Sequence, residues 1–215
     1  ICSERSAANM SYQFLLPGEF GQVDTLCMLK GWDLLGAAVR APLAQHDVVY
    51  LLPLLTISMS KGTGLVTSVP SDSPDDYIAL QDLIKDGAMR DKYHVTLEMC
   101  SLDAPAIIRS PEFGDRAAPT ICAEMKIKNQ HDARKLAEAK ERVYKQGFYE
   151  GTMLLGSCAG MKVALAKPIV RSEMISADQA FVYSEPEREV IARSGNACVV
   201  AHTDQWFLEY GEAAW

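Results

Sequence analysis

Apolar residues recur along this chain with two periods, and the places where the period changes mark its elements. From Leu65 to Val69, residues Leu65, Thr67 and Val69 share one face and Val66 and Ser68 the other, the two-residue repeat of a strand. Pro70 stops that ladder. Ser73 then suits a helix N-cap, Pro74 the first helical position, and Asp75 and Asp76 fall in the first turn. A helix is predicted from Pro74 to about Tyr93, with Tyr77, Leu80, Leu83, Ile84 and Met89 at near-helical spacing. The stretch KGTGLVTSVPSDSPDDY, Lys61 to Tyr77, therefore reads as a strand that turns sharply and opens a helix with acid at its mouth.

The same reading extends to the rest of the chain. Ser3 can cap a short helix through Gln13, which Pro17 and Gly18 end. Phe20, Val23, Leu26, Met28, Leu29, Trp32 and Leu34 read as core, and Asp47 to Thr56 as a buried strand with Pro53 at a bulge or edge. Residues 94–128, punctuated by Pro105, Pro111 and Pro119, read as an irregular, strand-containing insertion on the surface. Asp132 to Gln146 is predicted helical, with Leu136, Val143 and Tyr144 as its apolar stripe and Gly147 as its stop. Its charges, Glu138–Arg142 and Glu141–Lys145, read as i,i+4 pairs on a wet face. Residues 161–176 look helical, starting or kinking at Pro168. The tail reads as β-rich over 180–183, 189–193, 198–202 and 205–210, with Ser194-Gly195-Asn196 as hairpin turn. The expected fold is α/β, a single domain over 1–215 with a closed or nearly closed, β-barrel-like core and helices packed outside.

Composition narrows the classes. The hydrophobic (48%) and charged (23%) fractions are those of a soluble globular protein. No apolar run reaches the roughly 18–20 residues of a membrane span. A net charge of −7 argues against a general nucleic-acid binder, so any contact with RNA is expected to be weak and local. Six dispersed cysteines without C-x-x-C argue against a metal site or disulfide framework and fit a reducing cytosol. The chain does not start with methionine and ends on Trp215, which reads as a segment of a larger protein. The sequence contains no G-x-S-x-G elbow, no H-E-x-x-H and no P-loop, and its four histidines are isolated. A protein nucleophile is not indicated.

The block GTGLVTSVPSDSPDDY resembles the signature of the editing domain inserted into leucyl-tRNA synthetases of the eukaryotic cytosolic and archaeal type, which are class I synthetases. Ala8–Gln13 (ANMSYQ), Leu51–Thr56 (LLPLLT), Lys145–Gly151 (KQGFYEG) and Asp204–Gly211 (DQWFLEYG) resemble further blocks of that domain in the expected order. The resemblance implies hydrolysis of the ester joining a wrong amino acid (valine, isoleucine or norvaline) to the 3′ end of tRNA(Leu). It implies no cofactor in this domain, with ATP bound elsewhere in the parent synthetase; Met59-Ser60-Lys61 is not read as an ATP motif. Partners are then the tRNA(Leu) 3′ end and the rest of the synthetase, in the cytoplasm.

By the same resemblance Asp76 anchors the substrate α-ammonium, with Asp75 as the local fallback; the spacing alone equally allows a cap on the helix dipole. Thr67 and Val69 resemble residues lining the amino-acid pocket, or else they pack a sheet. Gly62, Thr63 and Gly64 border the adenosine or the ester, or simply make a tight turn. Lys61 resembles a basic position that meets a terminal phosphate or tunes specificity, or it is a solvated lysine. The family's threonine-rich strand lies upstream of the helix that resembles Ala8–Gln13, so the chain alone is expected to fold with an open, impaired site. Two alternatives stay open: the corresponding insert of an isoleucyl- or valyl-tRNA synthetase, and a catalytically silent module that docks tRNA or a protein.

Overall fold

Helices carry most of the regular structure in the computed structural model, which describes residues 1–206 and 208. The described residues divide into two units, one formed by residues 1–26, 58–65 and 183 onward, the other by residues 27–57 and 66–182.

In the first unit, α1 (Glu4–Ser11) starts where the sequence places it, with the Ser3 hydroxyl accepting the Ser6 N–H at 3.1 Å. Two buried amides then do the work of a sheet. Asn9 Oδ1 accepts the Val200 N–H at 2.9 Å, while Gln13 accepts the Ser184 N–H at 2.9 Å and donates to the carbonyls of Ser184 (2.6 Å) and Val200 (3.2 Å). Backbone groups near the tail are thus satisfied by side chains. Over its described residues the expected β-rich tail is therefore extended backbone, not a ladder. The exception is the predicted hairpin: Ile191 bridges Ala197, the Cys198 N–H meets the Val190 carbonyl at 2.7 Å, and Gly195 turns the chain with φ +85. Much of the strand expected over 205–210 lies outside the described residues.

The second unit is built on α2 (Pro74–Lys85), α5 (Ala117–Glu124) and α6 (Ala133–Tyr149), which pack on one another. Ile78, Phe113, Ala117, Ile121, Cys122, Ile127, Leu136, Ala139 and Val143 form its main core. Residues 94–128 are thus no surface excursion: they hold α4 (Leu97–Cys100) and α5, and five of their apolar side chains fill that core. The single helix predicted to Tyr93 is two. Asp86 leaves the helical region (ψ 102), ends α2, and caps α3 (Gly87–Tyr93) by accepting the Met89 N–H at 3.1 Å. Leu83, Val95 and Cys100 make a second buried cluster beneath this joint.

The other departures also have local causes. α6 runs through Gly147, because packing of its apolar stripe outweighs the cost of about 1 kcal/mol for a helical glycine. Arg142 reaches Glu112 (2.7 Å) and Glu124 (3.1 Å) instead of Glu138, tying α6 to its neighbours in space. α7 (Val163–Ser176) continues across Pro168, which deprives the Ala164 carbonyl of its donor. Leu26 and Met28, expected in the core, are 96% and 80% exposed, and Phe20, Val23, Leu29 and Trp32 are exposed too; Leu34 is half-buried. No helix or strand forms over 12–30 to press these side chains on a neighbour.

Strands are short. β1 (Ala38–Val39) pairs antiparallel with β2 (Val49–Tyr50), and β3 (Ile108–Arg109) with β4 (Thr152–Met153). Of the strand expected over Asp47–Thr56, only β2 forms a ladder, and Leu65–Val69 is extended without one. The class is mixed α/β, and no closed barrel forms among the described residues.

Ile121 is wholly buried at the α2–α5–α6 junction, so Ile121→Ala should cost about 2–5 kcal/mol. Urea unfolding should show a lower midpoint at an unchanged slope; a midpoint within error of the parent would contradict this packing.

Candidate functional site

Within the second unit, the site is a turn closed by its own backbone. The Val69 carbonyl accepts the N–H groups of Asp72 (3.0 Å) and Ser73 (2.8 Å), so the chain reverses after Pro70 and enters α2. Ser73 caps α2, its hydroxyl facing the Asp76 N–H at 3.5 Å, and Pro74 occupies the first turn. Asp76 does not complete a capping box, since the Ser73 N–H is already used. Its Oδ2 instead accepts the Val69 N–H at 2.7 Å. One carboxylate oxygen therefore locks the turn, and the Ser73 hydroxyl lies beside the carboxylate, with no cation bonded to it among the described residues.

The neighbouring acid points elsewhere. Asp75 is buried and takes the Lys140 ammonium on Oδ2 at 2.8 Å. One turn further along α6, the Tyr144 hydroxyl donates to Ser73 Oγ at 3.2 Å. Ser71 Oγ donates to Asp72 at 2.6 Å. Burial pushes the Asp76 carboxyl above the usual carboxylate range, the Val69 N–H and Ser73 hydroxyl oppose this, the Asp75 charge adds to it, and Lys140 opposes it. Asp72 is raised by burial, against the Ser71 hydroxyl. The Cys122 thiol behind Asp75 is pushed up to about 11, by burial and then by the Asp75 charge. That thiol stays protonated and inert at neutral pH.

Thr67 is exposed and Val69 half-buried, on extended backbone that no strand covers among the described residues. Lys61, Gly62, Thr63 and Gly64 belong to the first unit. Gly62 and Gly64 take φ +60 and +84, which their lack of Cβ allows. The Gly62 N–H is held by both oxygens of Glu185 (2.9 and 3.1 Å), which also accepts from Arg5 (2.9 Å) and the Tyr183 hydroxyl (3.1 Å). The Gly62 carbonyl accepts from Ser3 (3.3 Å) and Ser6. Thr63 Oγ1 bonds the Leu65 backbone, and Lys61 is exposed. The sequence reading missed Glu185 and Lys140, which meet their partners across 123 and 65 residues of chain. Local periodicity carries no signal at such separations.

No protein-family model matches the chain. Solved structures do. The structure GlLeuRS-CP1 superposes with TM-score 0.80 at 40% identity, over 86% of this chain and 66% of that one. The editing domain of the P. falciparum cytosolic leucyl-tRNA synthetase superposes with TM-score 0.80 at 31% identity, over 86% of this chain and 61% of its own. The fold is thus that of an editing domain of an aminoacyl-tRNA synthetase. Among curated proteins, the cytoplasmic leucine–tRNA ligase of Arabidopsis thaliana is 51% identical over all of this chain and 20% of its own length. That of Saccharomyces cerevisiae is 40% identical over all of this chain and 19% of its own. The chain belongs to the editing domains of the cytosolic leucyl-tRNA synthetase family, and it spans about a fifth of the length of the curated relatives it matches.

Glu185→Ala should free the Gly62 amide: its hydrogen exchange is expected to speed at least tenfold, as for loss of a bond worth about 1.5 kcal/mol to a charged acceptor. Unchanged protection at Gly62 would show that Ser3 and Ser6 hold the loop without it.

Proposed function

We propose that this chain is the post-transfer editing part of a leucine–tRNA ligase, hydrolysing the ester of tRNA(Leu) mischarged with valine, isoleucine or norvaline. The observation that carries the reading is Asp76: a half-buried carboxylate, fixed by one oxygen on the backbone Val69 N–H, with no cation bonded to it among the described residues. A fixed anion of this kind suits an ammonium, to which it would make a charge-assisted bond. Asp75 is spent on Lys140 and does not share this role.

A synthetic pocket gains only about 1–3 kcal/mol per methylene, so close apolar competitors pass it and a second, hydrolytic sieve is needed. In that sieve Asp76 holds the α-ammonium, and Thr67 and Val69 line the space for the side chain. Water attacks the carbonyl carbon of the ester, and the ribose oxygen leaves. The ester is activated, so positioning supplies much of the rate. Lys61 and the Gly62–Gly64 loop are assigned by family likeness to the tRNA 3′ end. The acidic chain would leave most of the tRNA, and the ATP-dependent ligation of leucine, to the rest of the synthetase. The proposed core is barrel-like, supported by extended, unladdered backbone over Val66–Ser68 that another strand could pair.

In the whole synthetase, Asp76→Ala should lower kcat/KM for deacylation of isoleucyl-tRNA(Leu) by about 10–150-fold, the worth of a hydrogen bond to a charged group. Leucylation should be unchanged. Deacylation at the parent rate would sink the assignment and favour a silent docking module. Because burial raises the Asp76 carboxyl and the anion is the working form, deacylation should fall off on acidification at a pH above the ordinary carboxylate range.

A further inference from the structure

We infer that Lys140 is a positioning residue for this site: from α6 it neutralises Asp75, and so leaves Asp76, not Asp75, as the anion at the mouth of α2 that meets the substrate. The inference rests on the editing reading of Asp76. Its geometric basis is independent of that reading.

α6 is fixed by Leu136, Ala139 and Val143, all buried in the main core. Lys140 and Tyr144 each follow one of these residues, so they sit at the edge of the buried stripe and one turn apart. From there both reach the mouth of α2: Lys140 to Asp75 Oδ2 at 2.8 Å, Tyr144 to Ser73 Oγ at 3.2 Å. The ammonium also lies 5.7 Å from the Tyr144 ring centroid, a cation–π distance that helps hold the pair in register. Two rungs on one helix thus clamp the first turn of the other.

The clamp answers an electrostatic difficulty. Asp75 is buried and the adjacent Asp76 half-buried, and the Asp75 charge pushes the Asp76 carboxyl up. The groups that act on Asp76 are the Val69 N–H, Ser73 and Asp75 at the mouth of α2, and Lys140 on α6; around them, Ser71 meets Asp72 in the preceding turn, Cys122 on α5 faces Asp75, and Tyr144 on α6 reaches Ser73. Lys140 supplies the positive charge in that set, and its effect on Asp76 opposes that of Asp75. Lys140 bonds Asp75 and makes no hydrogen bond to Asp76, so its charge favours the Asp76 anion without occupying it. The ion pair also removes Asp75 as a rival for the ammonium.

The test compares Lys140→Met, Lys140→Arg and the double variant Lys140→Met/Asp75→Asn in the whole synthetase. The readouts are kcat/KM for isoleucyl-tRNA(Leu) deacylation as a function of pH, and leucylation. In Lys140→Met the acidic fall-off should move to higher pH, with leucylation unchanged. Lys140→Arg should keep the parental profile. The double variant should bring the fall-off back, because no Asp75 charge is left to neutralise; having no unpaired buried anion, it also serves if Lys140→Met alone folds poorly. A uniform loss at all pH values, or a double variant no better than Lys140→Met, would overturn the inference and make Lys140 a packing residue. Asp76→Ala, run alongside, separates the two claims. If it abolishes deacylation while Lys140→Met leaves the profile unmoved, only the role of Lys140 fails; if Asp76→Ala is itself active, the editing reading fails first.

Discussion

The bond from the Val69 N–H to Asp76 Oδ2 joins the extended segment before the turn to the first turn of α2. With the Val69 carbonyl accepting from Asp72 and Ser73, it fixes where the chain reverses and how α2 begins. A carboxylate at this position can serve a helix dipole without further purpose. What distinguishes Asp76 from Asp72 and Asp75 is that a backbone N–H holds it, where a side chain holds each of the others. The rigidity of the turn is thereby passed to the carboxylate. A binding anion built this way gives up little conformational freedom when the ligand arrives.

Packing behind the turn sustains that arrangement. α5 and α6 present Ile121, Leu136, Ala139 and Val143 to Ile78 on α2, so the helix bearing Asp76 is anchored along its buried face. The edge of the same stripe carries Lys140 and Tyr144 to Asp75 and Ser73. Core and site are therefore consecutive positions on one helix. Residues 113–127 contribute packing to that core, and burial there keeps the Cys122 thiol protonated. The first unit solves its own problem differently. Asn9, Gln13 and Glu185 satisfy backbone groups that a sheet would otherwise pair, and a fully engaged polar network of this kind specifies one arrangement.

What the sequence by itself determined was local or patterned. Ser3, Ser73 and Pro74 declare two helix starts through cap chemistry, Leu136 and Val143 declare α6 through period, and Gly195 marks its hairpin turn. The acidic mouth of α2 was legible for the same reason, since cap, proline and carboxylates lie within four residues. Likeness of ordered blocks to a known family supplied the chemistry, which no spacing rule could. Tertiary structure alone decided the rest. A two-residue alternation at Leu65–Val69 shows that a strand is possible, but a ladder needs a partner, and none pairs there among the described residues. Hydrophobicity at Leu26 and Met28 could not reveal that no described residue would cover them, nor could the prolines of 94–128 reveal that this stretch would fill the core. Asp75 and Asp76 are alike in sequence. Only the arrival of Lys140 from 65 residues away makes one a structural ion and leaves the other with no bonded cation among the described residues, because electrostatic fate is set by neighbours in space and not along the chain.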